Sequence, residues 1–241
     1  MLRRLVAVRR ALVPPALGVR ISLARVARGE PLGHAGYNSG CHSVAREYID
    51  RFVAAHAADV RGRVLEIGDR SYTTRHADNV ESSDVVHLLP DHGATIVCDL
   101  NDSAALDGRS FDTVICTQTL QLNYEPRAVL ETLAHALVPG GTLIASMSGI
   151  CQLSRYDMDR WGEYWRFTNL SAARLFHDVF GPQASVTVTT YGNVLTACAH
   201  LAGLAAREVP SVMYDDHDPD YELVIGVRAV KPLVIGAGPR P

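Results

Sequence analysis

Lysine is almost absent from this chain. Of 23 basic residues in 241, only Lys231 is not an arginine, a bias that points to a GC-rich genome and carries no functional meaning. Cysteine is sparse as well. Cys41, Cys98, Cys116, Cys151 and Cys198 are scattered with no CxxC pair, which excludes a disulfide framework or a zinc knuckle. The expectation is buried free thiols in a reducing cytoplasm. No apolar run approaches the ~20 residues of a membrane-spanning helix, so an integral membrane segment is not expected. Internal repeats and low-complexity tracts are lacking too. Hydrophobic residues at 47% and charged residues at 20% lie near the globular average, against wholesale disorder, collagen or a coiled coil.

Charge is unevenly distributed. Residues 1–30 hold seven arginines and one acid, Glu30, a balance of +6; the formal net charge is −3, so the remainder is −9. An acidic body makes a poor general nucleic-acid binder, and no nucleic-acid partner is expected. The basic arm can make weak peripheral contact with a membrane surface or an acidic partner. Arg9, Arg10 and Arg20 interrupt its apolar stretches, which fits a secretory signal badly, and a cytoplasmic location is expected. The chain divides into a basic extension and loop at 1–42, a main domain at 43–232 and a flexible tail at 233–241.

The order of elements follows from periodicity and punctuation. Gly29–Gly40 reads as a loop, and Ser43–Ala58 as a helix capped by Ser43. Short apolar strands are expected at Arg63–Ile67, Asp84–Leu89, Ala94–Cys98, Phe111–Cys116 and Thr142–Met147. A helix at Pro126–Leu137 starts on proline and is ended by Gly140-Gly141. Another spans Ser171–Phe180 with Ser171 as cap. Ser185–Tyr191 and Tyr221–Val230 form two further strands around a helical Val194–Ala206. Alternating strands and helices predict an α/β fold: a doubly wound, mostly parallel, seven-stranded Rossmann-like sheet with a terminal antiparallel strand pair.

In such sheets ligands bind beyond the carboxyl ends of the strands. The residues there are Glu66-Ile67-Gly68-Asp69-Arg70, Asp91, Asp99-Leu100 and Thr117-Gln118. Val64-Leu65-Glu66-Ile67-Gly68, then Asp99-Leu100 with Ser110–Ile115, then Leu137-Val138-Pro139-Gly140-Gly141-Thr142-Leu143 resemble, in order and spacing, the class I S-adenosylmethionine-dependent methyltransferases. The likeness covers about residues 44–230. Arg155–Thr168, with its Tyr-Trp-Arg-Phe-Thr core, together with Arg46-Glu47-Tyr48-Ile49 and Asp218-Pro219-Asp220-Tyr221, resembles the subgroup tied to bacterial glycan and glycosyltransferase loci.

The resemblance implies S-adenosylmethionine as cofactor. Glu66 would order the loop, Gly68 would give backbone access, and Asp69 and Arg70 would complete the loop. Asp91 is the first choice for the ribose hydroxyls, since a carboxylate accepts two bonds from a diol, with His87 as the alternative. Asp99 and Leu100 would hold the adenine, and Thr117 and Gln118 would lie near the transferred methyl. The family's second and third loop glycines fall at Arg70 and Tyr72 here. The same departure breaks the G-x-G-x-x-G dinucleotide fingerprint, against a nicotinamide enzyme.

For the acceptor, Asp157 is the candidate base, with Tyr156 and Arg166 beside it and Asp159 and Glu163 as further carboxylates. Trp161 and Trp165 serve either as a sugar-packing face or as core anchors. No metal site is expected: Asp215–Asp220 reads as a solvated turn. The expected activity is O-methylation of a sugar, glycan intermediate or small metabolite in polysaccharide biosynthesis. The alternative is an inactive scaffold that partners a glycosyltransferase.

Overall fold

The computed structural model describes Gly29, Pro31 and residues 41–233. The basic arm, most of the Gly29–Gly40 loop and nearly all of the tail therefore lie outside the described residues. Helix α1 is Val44–Ala55, followed by a 3-10 turn, Ala57–Asp59. Then come β1 Arg61–Ile67, α2 Ser71–Arg75, β2 Asn79–His87, β3 Ile96–Val97 and β4 Phe111–Thr117. A 3-10 turn at Leu120–Leu122 leads to α3 Pro126–Ala136 and β5 Leu137–Ser148. The last elements are α4 Arg155–Met158, α5 Asn169–Phe180, β6 Ser185–Tyr191, α6 Val194–Leu201 and β7 Val224–Val230.

The seven strands form one sheet in the order β3-β2-β1-β4-β5-β7-β6. The strands from β3 to β5 run parallel, and β7 is antiparallel to both β5 and β6. This is the mostly parallel sheet with an antiparallel end that the strand pattern predicts. The chain winds outward in both directions from β1 and β4. Their carboxyl ends therefore open at the topological switch point, where a ligand can enter without disturbing a connection.

Both faces are covered, which is why the inner strands are continuously apolar. One core packs Leu65, Val114, Cys116 and Leu143 against Val129, Leu130 and Leu133 of α3 and Phe176 of α5. The other packs Val64, Ile115, Ile144 and Val224 against Tyr48, Phe52 and Val53 of α1, with Tyr72 of α2 and Ala197 of α6. Helix α1 starts where expected, because the Ser43 hydroxyl accepts from the Arg46 N–H at 3.2 Å.

Several boundaries differ from the expectation. Helix α3 does not run to the glycine pair. Strand β5 begins at Leu137 without a break, and Gly140-Gly141 sit inside it. Phe111 pairs with Leu137 but Thr113 with Thr142, so Val138–Gly141 bulge out of the ladder. The bulge is held by the Gly140 N–H donating to the Lys231 carbonyl at 3.0 Å. Helix α5 is capped by Thr168, not Ser171. Ser171 returns the bond as the other half of a capping box, so the helix starts two residues earlier. Helix α6 stops at Leu201, and Gly203 then takes a left-handed φ of 77°. Strand β2 extends back to Asn79 and ends at His87, leaving Leu88 and Leu89 exposed beyond it. Of the cysteines only Cys116 is buried; Cys98 and Cys151 are half-buried and Cys41 and Cys198 exposed, which corrects the expectation of buried cysteines.

Candidate functional site

The site is built at the carboxyl ends of β1, β2, β4 and β5. At β1 the Glu66 carboxylate is buried. It accepts from the Tyr72 N–H at 3.0 Å, the Thr73 N–H at 2.8 Å and the Thr73 hydroxyl at 2.7 Å. These bonds fold the start of α2 back onto the strand end and hold the intervening loop open. Burial pushes the Glu66 carboxyl up from its usual range, and the three bonds oppose that. Asp69 caps the same turn, accepting from the Ser71 N–H at 2.7 Å.

Gly68 sits at φ 99°, a conformation that disfavours a side chain, and a Cβ built on it would meet nothing within 4 Å. Open space therefore lies directly over the loop backbone. The two side chains standing where the family carries glycine are directed elsewhere. The Arg70 guanidinium donates to the Ser83 carbonyl on β2 at 3.3 Å. Tyr72 is buried in the α1-side core; its hydroxyl accepts from Arg46 at 3.0 Å and donates to Asp50 at 2.8 Å.

At β2 the last strand residue is His87. Its Nδ1 lies 3.0 Å from the Leu89 N–H, and its ring stands edge-on to Trp161 with centroids 5.9 Å apart. Asp91 lies four residues farther on, in a turn, where its carboxylate accepts from the His92 N–H at 2.7 Å. The strand end, which the sequence left open, thus puts His87 and not Asp91 at the mouth of the sheet. Past β3, Asp99 accepts from the Asn101 N–H at 2.9 Å and from its side-chain amide at 2.8 Å, while Leu100 is buried beneath.

At β4, Thr117 is the last strand residue and Gln118 adopts a left-handed φ of 53°, unusual for a residue with a side chain. Its N–H donates to the Ser146 carbonyl at 2.8 Å, and its Oε1 accepts from Gln121 at 2.8 Å and from Ser148 at 2.5 Å. Gln121 was not singled out in the sequence. It is 3% exposed, and its Oε1 has no hydrogen-bond partner among the described residues. Its burial could be found only once the 3-10 turn after β4 was seen.

The loop after β5 reaches the carboxyl end of β2, where Trp161 meets His87. Its main chain is tied to the sheet: the Tyr164 N–H donates to the Gln121 carbonyl at 2.8 Å, and the Phe167 N–H to the Ser148 carbonyl at 2.9 Å. Glu163, almost wholly buried, pairs with Arg166 at 3.0 Å and accepts from the Ser154 N–H at 2.8 Å. Arg166 also donates to the carbonyls of Trp165 and Gln152, so it braces the loop. Asp157 sits in the first turn of α4, and burial pushes its carboxyl up from the ordinary aspartate value. The Tyr156 ring lies 3.7 Å from the Arg160 guanidinium carbon. Trp161 is half-buried against His87, whereas Trp165 faces solvent. Asp215–Asp220 form a turn, with Asp215 paired to Arg51 at 2.8 Å and His217 beside Thr190 at 2.8 Å. Among the described residues no group of three or more His, Cys, Asp or Glu is arranged to hold a metal. Nor is any helix among them long and apolar enough to cross a membrane.

Comparison with known proteins agrees with this fold. Residues 51–145 match the family described as "Methyltransferase domain". No curated protein is a significant match by sequence. Among solved structures, the N-methyltransferase NodS from Bradyrhizobium japonicum WM9, in complex with S-adenosyl-L-homocysteine, superposes with a TM-score of 0.53 at 13% identity. That alignment covers 86% of this chain and 97% of NodS. A chain from the complex containing the Haloferax volcanii Trm112 methyltransferase activator gives 0.50 at 16% identity, covering 78% of this chain and 93% of that one. At such identities the likeness is one of fold. The matched domain, the strand order and the open loop over Gly68 together support an S-adenosylmethionine-dependent methyltransferase, with S-adenosylmethionine as the cofactor that a class I methyltransferase fold implies.

Proposed function

We propose that the protein transfers a methyl group to a hydroxyl oxygen of a sugar, glycan intermediate or small metabolite. The observation that carries the reading is the open space over Gly68, beside the Glu66-braced loop at the carboxyl end of β1; Asp99 and Gln118 follow β3 and β4 at the same end of the sheet. Glu66 sets the loop, and Gly68, Asp69 and Arg70 provide its backbone. His87 or Asp91 meets the ribose, Asp99 and Leu100 meet the adenine, and Thr117 and Gln118 border the methyl. When bound, S-adenosylmethionine supplies an electrophilic methyl carbon on a good thioether leaving group. The chain's own task is then alignment and removal of one proton. Asp157 takes the proton of the acceptor hydroxyl as the new O–C bond forms. Its partial burial raises its proton affinity and so strengthens it as a base. Arg166 and Tyr156 hold the loop that carries it.

The test is calorimetric titration with S-adenosylmethionine and S-adenosylhomocysteine, repeated on Asp99→Ala. Micromolar binding, weakened about tenfold or more by loss of a charge-assisted bond, is expected. Absence of binding near millimolar ligand, from folded protein, removes the enzymatic reading. The second reading, a methyltransferase-fold scaffold that partners a glycosyltransferase, would then stand; the non-glycine residues Arg70 and Tyr72 are the observation that favours it.

A further inference from the structure

Three aromatic side chains form one exposed patch beside the site. Tyr124, after the β4 turn, is 65% exposed, and Tyr164 and Trp165, in the loop after β5, are 51% and 41% exposed. The Tyr124 ring stands edge-on to Tyr164 at 5.6 Å between centroids and tilted 36° against Trp165 at 6.1 Å. Leaving this much aromatic surface in water is unfavourable, and isolated exposed rings do not normally gather in this way.

The patch is also held in place. The Trp165 Nε1–H donates to the carbonyls of Asn123 at 3.1 Å and Tyr124 at 3.2 Å, which pins the indole to the turn that carries the other ring. The phenol tip of Tyr164 lies over Gly162. A Cβ built there would come within 2.6 Å of the ring carbon bearing the hydroxyl, and Gly162 has φ 85°. Any side chain at 162 would displace the ring. The patch is tied to the candidate methyl-transfer site: the Tyr164 and Trp165 N–H groups both donate to the Gln121 carbonyl, and the Gln121 side chain donates to Gln118.

We infer that Tyr124, Tyr164 and Trp165 are a docking platform for the ring of a neutral sugar acceptor, and that they determine which acceptor is methylated. The inference rests on the proposed methyltransferase reading and gives it an acceptor subsite. A pyranose presents C–H groups on its faces and hydroxyls around its edge. The faces of aromatic rings carry negative potential and attract the C–H groups. The hydroxyls of Tyr124 and Tyr164 have no partner among the described residues, so two donor-acceptor groups border the ring faces. The three side chains of the patch are of neutral types, and the Arg166 guanidinium next to Trp165 is held in its pair with Glu163 at 3.0 Å, which suits a neutral saccharide better than a phosphorylated or carboxylated one.

Saturation-transfer NMR on the full chain tests this. Methyl β-D-glucopyranoside, methyl β-D-galactopyranoside and methyl α-D-mannopyranoside are the saccharide probes, with benzyl alcohol as a planar apolar probe and S-adenosylhomocysteine present throughout. Transfer to the ring C–H protons of at least one glycoside is expected. It should fall about fivefold or more in Tyr124→Ala, whose side chain is largely exposed and holds no hydrogen bond, and likewise in Gly162→Ala. Trp165→Ala should abolish it. Transfer to no glycoside, to benzyl alcohol alone, or at an unchanged level in Tyr124→Ala and Gly162→Ala overturns the platform. Transfer to the adenine protons of S-adenosylhomocysteine in the same spectra reports the cofactor site separately, so a failure of the methyltransferase reading is seen as loss of that signal.

Discussion

His200 illustrates how a single buried imidazole makes this fold sensitive to acid. It lies on α6, 7% exposed, and its Nδ1 has no hydrogen-bond partner among the described residues. Burial, helped by the nearby Arg166 guanidinium, pushes its pKa down to about 4 from 6.5. The unfolded chain therefore takes up a proton near pH 6.5, whereas the folded chain resists it until about pH 4. The stabilisation is present above pH 6.5 and lost as pH falls through this window. Two and a half units correspond to about 3 kcal/mol. Urea unfolding should thus show the wild type losing about 3 kcal/mol more stability between pH 7 and pH 4 than His200→Leu does. Parallel stability curves for the two proteins would mean that His200 is solvated or partnered and keeps an ordinary pKa.

At the scale of elements, the strands legible in the sequence are those buried on both faces and the one that alternates strictly. The expected Arg63–Ile67, Phe111–Cys116 and Ser185–Tyr191 lie within about two residues of the observed strand bounds, because burial or strict alternation writes itself into the residue types. Strand β2 was half missed. Its first part, Asn79-Val80-Glu81-Ser82-Ser83, is polar and mostly exposed, so pairing with β1 and not hydrophobicity makes it a strand. Its other end differs too, and this bears on the site, because the strand stops at His87 and not at Leu89. The bulge in β5 was hidden for a related reason. A glycine pair after a helix reads as a stop, and only the Lys231 contact from β7's far side reveals it as part of a strand. Long-range close approach is equally silent in the sequence. A Cβ on Gly149 would lie 2.1 Å from the Glu222 carbonyl oxygen, so the end of β5 and the chain entering β7 touch backbone to backbone. Neither can yield cheaply, since the Ile150 N–H donates to that same carbonyl at 2.8 Å. Gly149→Ala should cost at least about 2 kcal/mol in chemical denaturation, and it should loosen the site loop that begins there. A change within about 0.5 kcal/mol would mean that this crossing is slack.

For the whole molecule, the question is whether the edge of the sheet is a working cofactor site or only the shape of one. The side chains that replace the loop glycines are turned to β2 and to α1, and the Glu66 brace is made wholly by the chain's own N–H and hydroxyl groups. The site is therefore preorganised, and little binding energy is diverted into building it. A ligand that binds only the folded chain raises its stability by RT ln(1 + [L]/Kd), about 2.7 kcal/mol at a hundredfold excess over Kd. For a chain of this length that corresponds to a rise in melting temperature of about 5–10 °C. Thermal unfolding with S-adenosylhomocysteine should display this rise, growing with the logarithm of ligand concentration, and NAD at equal concentration should give none. His87→Ala and Asp91→Ala then divide the ribose role between them. The strand end at His87 predicts that His87→Ala takes away most of the shift, while Asp91→Ala, which removes only a turn cap, lowers the ligand-free melting temperature and leaves the increment intact. The reverse pattern would return the ribose to Asp91 and require the turn at 88–92 to refold around the ligand.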